Sequence, residues 1–405
     1  MSHYNYLPNN ICTPMFEERK KPNGVYDKLA HAFTGMGANA IANAELNQDF
    51  FRFNFEEAWS SNYSFRGVDS KTYTGNIFGE IVGQSNGTFI GAQGNHYIGP
   101  DPSNPKQLDD FTKTKCTIVL ACPSFATPAI SDLFYNQICT LSSIRDADQA
   151  EEIGSGTEVV PKEMVKSLRN SGDLDAIILT GPSLYTVMKR SKTLSNQKDQ
   201  SSISPPAKRN MKKRSCAERL EDVGEPLDLP IVPNVSADDP QIFVGAEYDH
   251  RLMPDFGGPI FAFRKAKLIQ PQWMNIDNEL IVPWKNYDYL RPGTLIAATI
   301  CIEVFVMPIV LGSNKFRKIY HALITSLKVI AESDIAITPP VPFLSAQKKV
   351  RAIQESSSQA AEALAAIDWS TPMTPLSASG SDRTLEDDEK HIPSQGLKQK
   401  KVKKQ

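Results

Sequence analysis

The sequence predicts a mainly β chain with minor α content, and three stretches carry that prediction. Residues 50–97 are dense in aromatic and β-branched side chains and punctuated by glycine, as short strands with tight turns are. Residues 116–121 (CTIVLA) form a short apolar run rich in β-branched residues, the pattern of a buried strand. Residues 295–306 alternate, which separates two faces. Ile296, Ala298, Ile300, Ile302, Val304 and Val306 make one apolar face, and Ala297, Thr299, Cys301, Glu303 and Phe305 make a mixed face suited to solvent or ligand.

Taken in order, residues 1–49 read as an irregular N-terminal arm, with a weak helix over 29–46 interrupted by Gly35 and Gly37. Residues 50–145 form the β-rich first part of the core. Three prolines make 99–105 a loop, and helical spacing returns over 128–141. Residues 146–239 read as a polar insert, largely disordered, with an amphipathic stretch at 163–168 and an apolar run at 176–179. Its basic linker, 191–215, has too few large apolar residues to offset the entropy of ordering. Residues 240–335 form a second β-rich region, with a strand expected over 260–269 and a turn at 290–294. Residues 316–330 fit either a strand or a helix through Ile319, Leu323, Leu327 and Ile330. Residues 336–405 supply a helix over 346–367 and a disordered basic tail.

Charge is informative locally and not globally, because 44 Lys and Arg nearly balance 46 Asp and Glu. Lys208, Arg209, Lys212, Lys213 and Arg214 follow Pro205 and Pro206, and five lysines between 398 and 404 end the sequence. Flexible cation runs of this kind suit a nuclear import receptor or phosphates, so the nucleus is the expected location. A solvated linker is the bland reading of the same letters. The N-terminal residues carry no secretory pattern, and no apolar run reaches the ~20 residues of a bilayer span, so no membrane association is expected. Six cysteines without a CxxC pair read as reduced thiols rather than zinc ligands.

No phosphate-cradling glycine loop, HExxH helix or GxSxG elbow is present, so the expectation is a non-enzymatic protein with no cofactor and no metal. Glu247, Asp249, His250 and Asp255 form the densest polar cluster. They suit acid/base work or a metal, or simply a turn rich in Asp and Gly. Cations beside aromatics are the more suggestive pattern, since bases stack on rings while phosphates meet Lys and Arg. The candidate nucleic-acid contacts are Arg264, Lys265, Lys267, Trp284, Tyr287, Arg317, Lys318 and Tyr320.

The tract from the Leu290-Arg291-Pro292-Gly293-Thr294 turn through Val306, followed by Lys318-Ile319-Tyr320 and Ser326-Leu327-Lys328-Val329, resembles OB-fold single-stranded-DNA-binding proteins of the replication type. That resemblance covers about a quarter of the chain and implies an OB-like, five-stranded Greek-key barrel binding single-stranded DNA or RNA. The chain as a whole is also similar to proteins of mushroom-forming fungi, a likeness that supplies no function. The rival reading is a protein-interaction or scaffold module whose basic runs serve only import. A third is an enzyme built on the cluster from Glu247 to Asp255.

Overall fold

The computed structural model describes residues 14–54, 62–100, 105–156, 158–168, 172–188, 241–258, 260–309 and 315–336. The basic residues Lys208, Arg209, Lys212, Lys213 and Arg214, the helix expected over 346–367 and the terminal lysines lie outside them. The chain is mainly β. Twelve strands occur among the described residues: β1 Phe50–Asn54, β2 Tyr63–Gly67, β3 Thr74–Ile81, β4 Lys115–Ala121, β5 Glu158–Lys162, β6 Val165–Lys166, β7 Ala176–Ser183, β8 Glu247–Asp249, β9 Lys267–Ile269, β10 Trp273–Met274, β11 Leu295–Pro308 and β12 Lys315–Ala331. The main helices are α1 Pro14–Lys20, α2 Val25–Gly35 and α3 Pro128–Ser155.

All strands but β8 and β9 join one mixed sheet, in the order β1-β2-β11-β3-β4-β7-β12-β10, with β5 added to β12 and β6 to β7. Because β11 pairs β12 as well as β3, five of these strands form a partly closed ring, β3-β4-β7-β12-β11. Four of its contacts are antiparallel, and β7–β12 is parallel. Two seams are narrow. β3 meets β4 only through Glu80↔Ala121 and Ile81↔Leu120, and β7 meets β12 only through Ala322↔Leu179 and Leu323↔Thr180. At the first seam Gln137 of α3 takes the place of a neighbouring strand, its side chain accepting from Phe78 N at 2.8 Å and donating to Phe78 O at 3.1 Å. Buried backbone polar groups need such partners.

β11 and β12 form the longest ladder, running from Leu295↔Ala331 to Pro308↔Phe316. Residues 316–330 are therefore strand, not helix. Of the apolar face read from the sequence, Ile296, Ala298, Ile300, Ile302 and Val304 are at most 1% exposed and share a core with Ile130, Phe134, Ile138, Leu141 and Ile144 of α3, and Val306 is half-buried. Ala297 and Thr299 of the mixed face are buried as well, so that face opens only from Cys301 onward. A register shift after Thr299↔Ser326 brings Ile300 opposite Ile324 and leaves Thr325 as an extra residue. That bulge resets the pleat, so Lys318, Tyr320, Ala322 and Ile324 point inward while Arg317, Ile319, His321 and Leu323 take the opposite face.

Three local expectations shift. The helix expected over 29–46 ends at Gly35, because Gly37 turns at φ 54° and two 3-10 turns follow. The strand expected over 260–269 shrinks to β9. Asp110 Oδ1 accepts from the amides of Arg264, Lys265 and Ala266 at 3.0, 3.0 and 2.9 Å, satisfying that backbone without a ladder. The helix expected over 128–141 runs on to Ser155, where Gly156 at φ 66° ends it, and polar residues 146–155 are held by ion pairs described below.

The N-terminal helix is bolted to the sheet by a buried charge. Arg19, 2% exposed, reaches Glu80 Oε2 at 3.3 Å and donates to the carbonyls of Gly293, Ala331 and Glu332 at 2.9, 3.2 and 2.7 Å. Glu80 also accepts from Ser124 N at 3.0 Å and Ser124 Oγ at 2.6 Å. Burial raises the Glu80 carboxyl above its ordinary value, and the Arg19 charge opposes that rise. Arg19→Ala strands a buried carboxylate and three carbonyls. The expected cost is about 3–5 kcal/mol, read as a lower urea midpoint at unchanged m-value.

Candidate nucleic-acid interface

Strand alternation divides the segment from Arg317 to His321 between core and surface, and with it the expected contacts. Lys318 is 9% exposed, and its ammonium lies 2.9 Å from Glu152 Oε1 and 3.4 Å from Asp148 Oδ2, both on α3. Tyr320, 3% exposed, donates to Asp148 Oδ2 at 2.5 Å, and Tyr63 of β2 donates to the same oxygen. Arg52 of β1 reaches Asp148 at 3.3 Å and Glu151 at 2.7 Å, and Arg145 reaches Glu152 at 2.9 Å. Burial and the bond to Asp148 hold both tyrosine hydroxyls well above their usual pKa. This network welds α3 to β1, β2 and β12. Tyr320 is thus committed to the core, and Lys318 is tied to the α3 carboxylates at the wall of a cavity it lines with Glu151, Glu152, Val159, Val306 and Phe316.

Trp284 is also internal, 1% exposed with its ring edge-on to Tyr248 at 4.9 Å. Tyr287 is half-buried and its hydroxyl donates to Asp255 Oδ2 at 2.9 Å. Asp255 in turn accepts from Ala92 N at 3.0 Å. Of the same polar cluster, Asp249 caps Arg251 N at 2.9 Å, His250 Nδ1 donates to Ala266 O at 2.9 Å, and Glu247 is exposed on β8. No group of residues able to hold a metal occurs among the described residues. Arg264, Lys265 and Lys267 are exposed, on the segment that Asp110 anchors three residues before Lys113. Arg317 is exposed on the outward face of β12.

That outward face holds an arrangement that no contiguous stretch of sequence announces. His321 is half-buried, its Nδ1 3.1 Å from Thr180 Oγ1 on β7 and its ring edge-on to Phe305 of β11 at 5.4 Å. Lys115 stands at the start of β4, Lys113 just before it, and Lys162 on β5 opposite Ile319 of β12. Desolvation first, then the charges of Lys115, Lys162 and Lys113, push the imidazole down to about 4. Burial and Lys113 likewise lower the Lys115 ammonium, while Glu303 and Cys301 on β11 work against that. Cys301 is pushed up to about 11 by burial and then by Glu303. The result is a half-exposed sheet surface crossing five strands, with several cations around two rings.

The sequence offered partial signals. Phe305 belongs to the mixed face of residues 295–306, and strand alternation through 316–330 places His321 with Arg317. Lys113, Lys115 and Lys162 come from distant segments and had no local signature. Among the described residues, no helix is long and apolar enough to cross a membrane. Comparison with known proteins finds no matching family, no matching curated protein and no matching solved structure.

Two outcomes follow for stability. Tyr320→Phe removes a hydrogen bond to a charged group inside the core and is expected to cost about 1.5–3 kcal/mol in urea unfolding. His321 is held below its unfolded value of 6.5 in the native chain, so the unfolded chain binds the extra proton first. Its contribution is complete above about pH 6.5 and is lost as pH falls toward about 4. Urea midpoints measured across that window should fall less steeply for His321→Asn than for the unaltered chain.

Proposed function

We propose that this protein binds single-stranded nucleic acid on the outward face of its five-strand ring. Lys113, Lys115, Lys162 and Arg317 meet phosphates, and Phe305 and His321 offer rings to bases. The observation that carries the reading is the placement of half-buried His321 and Phe305 on one sheet surface with Lys162, which stands opposite Ile319 of β12, and Lys115, which begins β4. Cations spaced along a surface that also bears rings suit an unstacked strand, whose bases have free faces, better than a duplex, whose bases are already stacked. Arg264, Lys265 and Lys267 extend the cationic surface from the segment beside Asp110, and Tyr287, half-buried there, is a secondary candidate.

The same reading takes the ring as an OB-like Greek-key barrel. In sequence order its strands run first, second, third, fifth, fourth and back to the first, with one parallel seam. Barrels of that class bind oligonucleotides on the face of their second and third strands and on the loops joining the first to the second and the fourth to the fifth. Here Lys115 and Thr180 lie on the second and third ring strands, Lys113 ends the first of those connections, and Arg317 begins the strand after the other. The 28-residue α3 between the second and third ring strands, and the added β1, β2, β5, β6 and β10, are departures from a minimal barrel. In this reading Lys208, Arg209, Lys212, Lys213 and Arg214 engage a nuclear import receptor, and the protein works in the nucleus without catalysing a reaction.

Salt titration of binding to a labelled oligothymidine tests the reading. Affinity should fall steeply with salt, and alanine at Lys115, Lys162 or Arg317 should each reduce the log–log slope by about 1. Phe305→Ala should cost about 1–3 kcal/mol with the slope kept. No binding at low ionic strength would sink the proposal and leave this face as a docking surface for a protein partner.

A further inference from the structure

His321 occupies the middle of the cationic face, and every element packed around it contributes a group. Thr180 comes from β7, Phe305 and Cys301 from β11, Lys113 and Lys115 from the entry to β4, and Lys162 from β5. Glu303 is its direct cross-strand partner. Its imidazole hydrogen bond runs to the Thr180 hydroxyl and not to a carboxylate. We propose that His321 is a proton-linked phosphate contact: a nucleic-acid strand docking among the lysines brings a proton onto the imidazole, which then serves as a further cation of the interface. This inference rests on the reading of the face as a nucleic-acid interface.

In the free chain half-burial is the first obstacle to a positive charge on the imidazole, and the charges of Lys115, Lys162 and Lys113 add to it. A phosphate placed among them reverses the sign of the local field and offers an acceptor for an imidazolium N–H. The proton costs no existing bond, because a hydroxyl both donates and accepts: whichever role the Thr180 Oγ1 plays toward the neutral ring, it accepts from a protonated Nδ1. Linkage then requires reciprocity: if bound phosphate raises the affinity of His321 for a proton, a proton raises the affinity of the face for phosphate. Affinity should therefore increase as pH falls toward about 4, where the free imidazole takes up the proton unaided. Glu303 carries the opposite charge directly across from His321, so its contribution has to be separated from that of the imidazole, which the Glu303→Gln variant does.

The test compares oligothymidine binding by fluorescence anisotropy at about pH 7.5 and about pH 5, at constant ionic strength, for the unaltered chain, His321→Asn and Glu303→Gln. Circular dichroism at both pH values establishes that each is folded. The unaltered chain should gain on the order of threefold or more in affinity at the lower pH, bounded by the tenfold per pH unit that one proton allows. Glu303→Gln should keep that gain and His321→Asn should lose most of it. An NMR titration of the His321 ring, with and without oligothymidine, should show its midpoint move upward on binding. Binding with the same gain in His321→Asn, or with an unmoved ring titration, overturns this inference and leaves the interface intact. Absence of binding at both pH values overturns the interface and this inference with it.

Discussion

The antiparallel pairing of β11 with β12 is the constraint from which the rest of the structure follows. Side chains on a strand alternate between two faces, so one register decides which residues of 31 paired and bulged positions meet the core and which meet solvent. The extra residue at Thr325 sets that choice: inward of it Ile300 faces Ile324, and outward Cys301 faces Leu323. A slip by one position would bury Arg317 and His321 and expose Tyr320 and Lys318. Every other strand of the ring docks on an edge of this ribbon or on a strand that does.

Buried charge then fixes what the ribbon packs against. Lys318 and Tyr320 reach α3 through Asp148 and Glu152, and Arg52 and Tyr63 bring β1 and β2 to the same carboxylate. Arg19 and Glu80 do similar work at the other end, where the ribbon begins and finishes. Charges held this way are expensive to desolvate and contribute little net stability over a packed apolar core, but removing one partner is costly. They therefore make alternative packings unfavourable and keep the outward face presented in one arrangement.

How much was legible in the sequence follows from the range of each signal. The face of β11 could be read directly, because its alternation lies within twelve consecutive residues, and the turn at Gly293 could be read from its neighbours and adopts φ 85° as such a turn requires. The strand nature of β12 was ambiguous locally: its apolar residues satisfy both periods, and only pairing with β11 selects one. The polar half of α3 was hidden because Asp148 and Glu152 look like solvent-facing residues until Lys318, Tyr63 and Arg145 are brought to them. For the same reason Lys318 and Tyr320 looked like ligand contacts, and so did Trp284, whose ring packs on Tyr248. The lysines around His321 come from segments more than 150 residues from it, and such a gathering exists only after the sheet has formed.

The central claim is that nucleic acid lies on the outward face of this ribbon, and photo-crosslinking tests it most directly. A bromouracil-containing single strand is irradiated with the full-length chain and the adducts are located by peptide mass spectrometry. The account predicts adducts on Phe305, His321 and their neighbours on β11 and β12. Adducts confined to the basic runs at 208–214 and 398–404, with β11 and β12 unmodified, would contradict it.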